Sequence, residues 1–336
     1  MNQISRSVVL SDSSSTSAAR RAGAEVASAL GMNETRAGEA AIIISEAARN
    51  AVVYGKGGHL LLAGANGAGQ TQLDIVAIDR GPGIGDVSRA LQDGFSTGTT
   101  PGTGLGAIRR MATSFDVFSS AKGTTLYARV AQSISPQTPK PALDYAGFLV
   151  PFPGEKACGD NISWFGGRDC MMFLVVDGLG HGIAAMEAAE EAVRIFQAYQ
   201  KSVPGDILAR IHDALKKTRG AAAAVAEIRP LSGLLTFAGI GNISASVLSH
   251  TLGRNLVSHN GTLGHVMGRI QEFKIEWPRD AVLIMHSDGV QSRWDLSKYP
   301  GLLARQAAVI AGVMLRDFRR ERDDASVLVV KPATKM

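Results

Sequence analysis

Met171-Met-Phe-Leu-Val-Val-Asp-Gly-Leu-Gly-His-Gly182 carries an apolar run of strand length straight into an acidic turn punctuated by glycine. An uninterrupted apolar run of this length reads as a strand buried on both faces. The glycines behind Asp177 let the backbone turn sharply beside the carboxylate. The pattern returns at Ala281–Met285, which leads into His286-Ser-Asp-Gly-Val290, and the pair Asp323-Asp324 directly precedes the apolar stretch Ser326–Val330. Asp160 stands in a fourth acidic turn, Cys-Gly-Asp-Asn. Carboxylates at strand ends backed by glycine suit hard divalent ions, and two such ions can activate water for in-line attack on a phosphate monoester. Each aspartate alone reads equally as a turn former; the set of them favours a metal site.

Around this centre, further strands are expected at Ala222–Ile228, Leu234–Ala238, Ser244–Leu248 and Glu272–Trp277, and helices at Ile183–Lys201, Pro204–Thr218 and Leu302–Phe318. Many strands with grouped helices imply a β-sandwich flanked by helices. Upstream, Ala131-Gln-Ser-Ile-Ser-Pro-Gln-Thr-Pro-Lys-Pro141 has three prolines and polar filler, the composition of a linker. It divides the chain into a first domain at 1–131, a linker at 132–141 and a second domain at 142–336. The first domain reads as helix Ser14–Leu30, capped from the Ser-rich stretch 11–17 and ended at Gly31, then helix Thr35–Tyr54 with Asn33 as cap. Strands His59–Ala63 and Leu73–Ile78, a Gly/Ser/Thr-rich loop from Gly81 to Pro101, helix Gly104–Thr113, and strands Phe115–Ser119 and Thr125–Val130 complete an α/β layer.

A length of 336 residues with 45% hydrophobic and 19% charged residues is ordinary for two globular domains. No apolar run approaches the roughly 18 residues of a membrane span. Val8-Val9-Leu10 breaks off into Ser11-Asp12, which argues against a signal-peptide core. Cys158 and Cys170 form neither CxxC nor a zinc pattern, so two buried, inert thiols in a reducing cytoplasm are expected. The net charge of +5 does not imply nucleic acid, because the basic residues are scattered, and the cluster Arg316–Arg322 is interspersed with acids.

A separate constellation occupies the first domain. Glu46 and Asn50 are four apart on the second helix and share a face, where a carboxylate and an amide could orient a nucleophile and hold Mg²⁺. Asp79 ends a strand and enters Gly81-Pro-Gly83, placed to accept a hydrogen bond from an adenine amino group. Gly102-Thr-Gly-Leu-Gly106 opens a helix whose amides suit phosphate, with glycine spacing unlike the dinucleotide fingerprint.

In this order, Ser45-Glu-Ala-Ala-Arg-Asn50, Asp79-Arg-Gly-Pro-Gly-Ile84, Asp93-Gly-Phe-Ser-Thr-Gly98, the Gly102–Gly106 segment and Gly123-Thr-Thr125 resemble the GHKL (Bergerat-type) ATPase and kinase family. The likeness is greatest to the anti-sigma-factor and stress-switch serine kinases, over about residues 5–130. It implies an α/β sandwich that binds ATP and Mg²⁺, with Glu46 as activating base and Asn50 as Mg²⁺ ligand. Asp79, Gly81, Gly83 and Thr124 would meet the nucleotide, and Gly102, Thr103, Gly104, Leu105 and Gly106 would form a phosphate lid. Similar proteins phosphorylate a serine or threonine of a STAS-domain partner.

The acidic turns, with Ala238-Gly-Ile-Gly-Asn242 and Gly261-Thr-Leu-Gly264, resemble the metal-dependent serine/threonine phosphatases of the PP2C family, in the bacterial sporulation and stress-signalling branch, from about Tyr145 to Val330. That resemblance implies a PP2C-like β-sandwich flanked by helices that binds two or more Mn²⁺ or Mg²⁺ ions. Asp160, Asp177, the Gly178 carbonyl, Asp288 and Asp323 would be the ligands, with Asp177 and Asp288 catalytic. Where the broad family has a histidine directly after Asp-Gly, this chain has Leu179; His181 could act through water or cap the next helix. Asn242 could reach the site or stabilise its turn, and His286 is expected to pack beside the Asp288 turn.

Together these resemblances imply a cytoplasmic, bifunctional kinase and phosphatase acting on STAS-domain partners of a stress-signalling complex or sigma-factor regulator, with neither nucleic acid nor membrane as partner. The alternatives are a first domain that only senses ATP, or one that only binds a sigma factor or scaffold protein, controlling an active phosphatase.

Overall fold

The computed structural model describes residues 2–67, 70–92, 104–132, 141–249 and 253–333. Contacts gather the chain into two compact units: Met1–Thr138 with Leu296–Asp317, and Pro139–Asp295 with Phe318–Met336.

The first unit begins with β1 (Asn2–Leu10), α1 (Ser13–Ala29), α2 (Glu34–Val53), β2 (Gly58–Gly67) and β3 (Gln70–Asp79). It continues with the short α3 (Val87–Ala90), α4 (Gly104–Met111), β4 (Ser114–Ser120) and β5 (Gly123–Gln132). The strands form one antiparallel sheet in the order β1-β2-β3-β5-β4. Strand β1 was not anticipated: its alternation of Ile4 and Val8, which pack on the core, and buried Leu10 is broken by Arg6 and by the polar opening Asn2-Gln3. Asp12, not a serine, caps α1, accepting from the Ser14 and Ser15 amides and closing a capping box with Ser15. Asn33 caps α2 as expected, through the Arg36 amide.

Helices α1, α2 and α4 cover one face of the sheet. Ile43, Ile44, Ala47 and Ile108 pack there with Leu60, Leu62, Leu73, Ile75, Leu126 and Ala128. The alternate residues Leu61, Val76, Ile78, Thr125 and Tyr127 are buried too, so the central strands read as unbroken apolar runs.

The second unit comprises β6 (Leu143–Val150), β7 (Asp160–Gly166), β8 (Met171–Gly178), α5 (Ile183–Ala198), α6 (Pro204–Leu215), β9 (Ala221–Arg229), β10 (Leu234–Ile240) and β11 (Ser244–Leu248). After these come β12 (Gly253–Leu256), β13 (Gly261–Thr262), β14 (Val266–Met267), β15 (Phe273–Glu276), β16 (Val282–His286) and β17 (Ala325–Pro332). Two five-stranded sheets, β15-β10-β9-β8-β7 and β12-β11-β16-β17-β6, make the sandwich, and β13 and β14 form a separate hairpin. Helices α5 and α6 lie on the first of these sheets. Ala188, Ala189 and Ala192 bring α5 close, and Ile207, Leu208 and Ile211 do the same for α6, over Leu174, Val176, Ala223 and Val225. Strands β6 and β7 escaped the sequence reading because prolines, glycines and scattered polar residues surround them.

Helix α7 (Ala307–Phe318) follows a 3-10 turn at Leu302–Ala304, and 296–317 packs with the first unit. It lies on the sheet face opposite α1 and α2: a β-carbon at Gly312 would be 2.6 Å from Thr125 Cγ2 and 3.0 Å from Val76 Cγ1. Arg80 donates twice to the Arg316 carbonyl, at 3.0 and 2.7 Å, and the Gln306 amide donates to Asp116 at 2.9 Å. Lys122 Nζ donates to the Tyr299 hydroxyl at 3.1 Å. No helix among the described residues is long and apolar enough to cross a membrane.

Candidate functional site

In the first unit, a cavity of about 420 Å³ opens between α2, the end of β3 and the start of α4, lined among others by Asn50, Asp79, Gly83, Gly104, Leu105 and Thr124. Asp79 closes its floor. One carboxylate oxygen, Oδ1, accepts from the amides of Gly81 at 2.9 Å and Thr124 at 3.1 Å. That pinning leaves Oδ2 able to accept a hydrogen bond from a group in the cavity. Burial raises the Asp79 pKa, while those two amide bonds and the Arg316 charge act to lower it. The Gly81–Ile84 turn is held by the Ile84 amide on Ser119 Oγ, 2.7 Å, and Ser119 shares a hydrogen bond with the Thr124 hydroxyl.

Glu46 and Asn50 share the cavity face of α2 at the mouth of α4. A β-carbon on Gly104 would lie 2.7 Å from Glu46 Oε2 and under 4 Å from the Asn50 amide. The structure therefore brings Glu46, Asn50, Asp79, Gly83, Gly104, Leu105 and Thr124 together. Gly81 is buried under Asp79, and Gly106 is buried within α4. Gly102, Thr103 and the Asp93–Gly98 motif lie outside the described residues. Pro82 and Ile84, within the Asp79–Ile84 motif, also line the cavity, as do Tyr54 and Arg89, which nothing in the sequence signalled.

The second unit has a cavity of about 490 Å³ lined by Asp177, Asp288 and Asp323, together with Leu179, Gly180 and the Gly241-Asn242 and Asn260-Gly-Thr262 turns. Asp177 sits within β8 rather than after it, and Asp160 begins β7 directly opposite, instead of forming a turn. Gly178 is required by close packing, since a β-carbon there would collide with the Ala185 carbonyl of α5. The Asp160 side chain is 2% exposed and accepts from the Ser287 hydroxyl, so it faces the protein interior. Asp324 likewise serves the frame, accepting from the Phe152 amide at 2.7 Å and the Gly159 amide at 3.0 Å. Asn242 reaches the cavity rather than serving only its turn: its Nδ2 donates to Asp288 Oδ2 at 2.7 Å.

Electrostatics mark this cavity. Burial first, then repulsion from Asp160, Asp288, Asp323 and Asp324, pushes Asp177 far above the carboxylate range. Asp323 is raised by burial and by Asp288. An all-oxygen set in mutual repulsion is the donor chemistry that a hard divalent cation relieves. Among the described residues, no three acidic, histidine or cysteine side chains converge into a single metal clasp. Any cation would thus draw on backbone and water oxygens as well as on Asp177, Asp288 and Asp323.

The two histidines singled out in the sequence, His181 and His286, both have partners. His181 does not cap α5, whose N-cap Gly182 makes no side-chain bond; it pairs with Glu155 and stacks on Phe152. His286 is buried beside the Asp288 turn as expected. Its Nδ1 donates to the Ser287 carbonyl at 2.8 Å and its Nε2 accepts from Trp294 at 3.0 Å. Both nitrogens are thereby committed, in a neutral ring whose pKa burial depresses. Both cysteines, Cys158 and Cys170, are half-buried rather than buried as expected, and desolvation followed by neighbouring carboxylates raises both thiols.

Residues 9–130 match the histidine kinase-like ATPase domain family, and residues 167–332 match the stage II sporulation protein E family. The first region is 37% identical over 112 residues to the serine/threonine-protein kinase RsbT of Bacillus subtilis (strain 168), covering 33% of this chain and 84% of that protein. Over 140 residues the chain is 24% identical to the phosphoserine phosphatase RsbX of the same organism, covering 41% of this chain and 69% of RsbX. Among solved structures, a chain from work on the bacterial stressosome as a modular system is 28% identical, with a TM-score of 0.53, covering 56% of this chain and 99% of that one. RsbX in complex with magnesium shares the fold at 20% identity and a TM-score of 0.51, covering 57% of this chain and 96% of that one.

Proposed function

Because the chain belongs to the histidine kinase-like ATPase family through residues 9–130 and joins to it a phosphatase domain of the stage II sporulation protein E family, we propose that it both adds and removes phosphate on one stress-signalling partner. It carries a serine/threonine phosphatase domain of PP2C type and an RsbT-like kinase domain. The proposed partner is a STAS-domain protein, phosphorylated on a serine or threonine in the cytoplasm. What supports the reading is the presence of two chemically different cavities in one chain, one built around the pinned Asp79 carboxylate and one around repelling carboxylates.

In the first cavity, Asp79 Oδ2 takes the adenine amino group, and the start of α4 at Gly104–Gly106 offers amides to phosphate. Glu46 accepts the proton of the incoming hydroxyl as its oxygen bonds the γ-phosphorus and the bond to the β-phosphate bridging oxygen breaks. Asn50 would hold Mg²⁺, which neutralises charge on the phosphates when bound. In the second cavity, Asp177, Asp288 and Asp323 with the Gly178 carbonyl would hold Mn²⁺ or Mg²⁺, which supplies activated water when bound. Asn242 fixes the Asp288 carboxylate by its 2.7 Å bond. Asp160 contributes negative charge behind Asp177 rather than a cavity-facing oxygen.

The test is transfer of label from γ-labelled ATP to a purified STAS-domain partner by the full-length Asp177→Ala protein, which lets product accumulate. Label on serine or threonine that is removed when native protein and Mn²⁺ are added supports both activities. Absence of label, with ATP binding and partner association demonstrated, overturns the kinase half and leaves an ATP sensor governing a phosphatase.

A further inference from the structure

The carboxylate cavity, whatever cations it would hold, offers its substrate no cationic side chain among its lining residues. Its titratable lining, Asp177, Asp288 and Asp323, is entirely acidic, yet a phosphomonoester arrives as an anion. One lining residue, Gly180, is overlaid by a cation: a β-carbon at that position would lie 3.1 Å from Arg219 Nη1. The guanidinium thus lies against Gly180, the chain neighbour of Leu179, which is 54% exposed; Arg219 itself is not among the lining residues. A side chain at Gly180 would push the guanidinium away, and its φ of +87° also favours glycine there.

The backbone that carries Arg219 is fixed on both sides. Its carbonyl is bonded to His265 Nε2 at 2.9 Å, and the Gly220 carbonyl accepts the Leu179 amide at 3.0 Å. Thr218 Oγ1 closes the turn by accepting the Gly220 amide at 3.0 Å. These bonds hold the strand entrance, while the Arg219 side chain is exposed. The other cation acting on the cavity, Arg320, lowers Asp323 by its charge.

We infer that Arg219 binds the phosphoryl oxygens of the phosphoserine or phosphothreonine substrate at the mouth of the Asp177–Asp288–Asp323 cavity, orienting the ester for attack. A planar guanidinium suits two non-bridging oxygens at once. This rests on the phosphatase reading above and adds to it the group that admits the anion. The turn before β9 is the source of that group, separate in sequence from every acidic residue of the site.

The full-length protein with Mn²⁺ is assayed as native, Arg219→Lys and Arg219→Met forms on a phosphoserine peptide, with inorganic phosphate as competitor and urea unfolding as control. Losing a charge-assisted, two-point contact should raise KM and the phosphate inhibition constant together by roughly tenfold or more in Arg219→Met. Arg219→Lys should fall between, because it keeps the charge but not the fork. The unfolding midpoint of both variants should match the native protein. KM and inhibition constant within twofold of native in Arg219→Met would overturn the inference, as would loss of kcat alone. If Arg219→Met fails to fold, Arg219→Lys carries the same comparison. A native protein that hydrolyses no phosphopeptide overturns instead the phosphatase reading on which this rests.

Discussion

Asp160 and Asp177 stand directly opposite each other on β7 and β8, but only Asp177 faces the cavity, while Asp160 is turned into a hydroxyl of the interior. Like charges directly across an antiparallel pair repel. This pairing sets two carboxylates in repulsion that a bound cation would relieve, and it makes stability depend on pH.

The Asp177 carboxyl is raised to about 9 by burial and its acidic neighbours, whereas in the unfolded chain it titrates near about 4. The folded state then binds more protons than the unfolded state between these values, so metal-free stability falls as pH rises through that window. Added Mn²⁺ should raise the melting temperature by several degrees at pH 8 and by clearly less at pH 5.5. Differential scanning fluorimetry with and without chelator checks this, and an equal shift at both pH values would contradict it.

Ser287 joins Asp160 to β17, donating to the Asp160 carboxylate and accepting from the Ser326 amide at 3.0 Å. All three residues are buried. Ser287→Ala removes a donor to a carboxylate and an acceptor for an amide, and should cost about 1–3 kcal/mol for each buried group left unpaired. Urea unfolding with excess chelator should show it. A midpoint equal to that of native protein would mean that water replaces the hydroxyl.

Glu46 and Gly104 separate binding from transfer. Gly104→Val places carbon atoms against Glu46 Oε2 and beside the Asn50 amide, so nucleotide affinity should drop while the fold stays intact. Glu46→Gln keeps the shape and should leave affinity within about threefold, yet cut label transfer by roughly 10²-fold or more, as for a lost general base. Fluorescent-nucleotide titration and the transfer assay, run on both variants, distinguish the two. Equal transfer by Glu46→Gln and native protein would remove Glu46 from the chemistry.

Much of this was legible in the sequence because it depended on local pattern. The strand before Asp177 and the helix bearing Glu46 and Asn50 were specified by unbroken apolar runs and by Asn33 as cap. The Asp79 loop was legible because its glycines mark it. What escaped depended on distant partners. No spacing rule links Asn242 to Asp288, or tells Asp160 from Asp177; the difference lies in which carboxylate meets Ser287. His181 gave no sign of Glu155, which lies 26 residues before it in the chain. One signal was present and unused: Leu60-Leu-Leu62 and Ile75-Val-Ala-Ile78 are apolar without alternation, the mark of a sheet covered on both faces.

That second cover is α7, encoded almost 180 residues downstream of the last strand it protects, with every position from Ala307 to Arg316 buried. A gene truncated after Gln132 would leave the face of Val76, Ile78 and Thr125 open to water. One beginning at Leu143 would translate α7 without the sheet it lies on. Recombination at the proline-rich stretch, the ordinary route by which fused activities are exchanged between genes, would therefore yield two incomplete products. A cut at that stretch would part α7 from the sheet it covers, so the two units are not separable there as continuous segments.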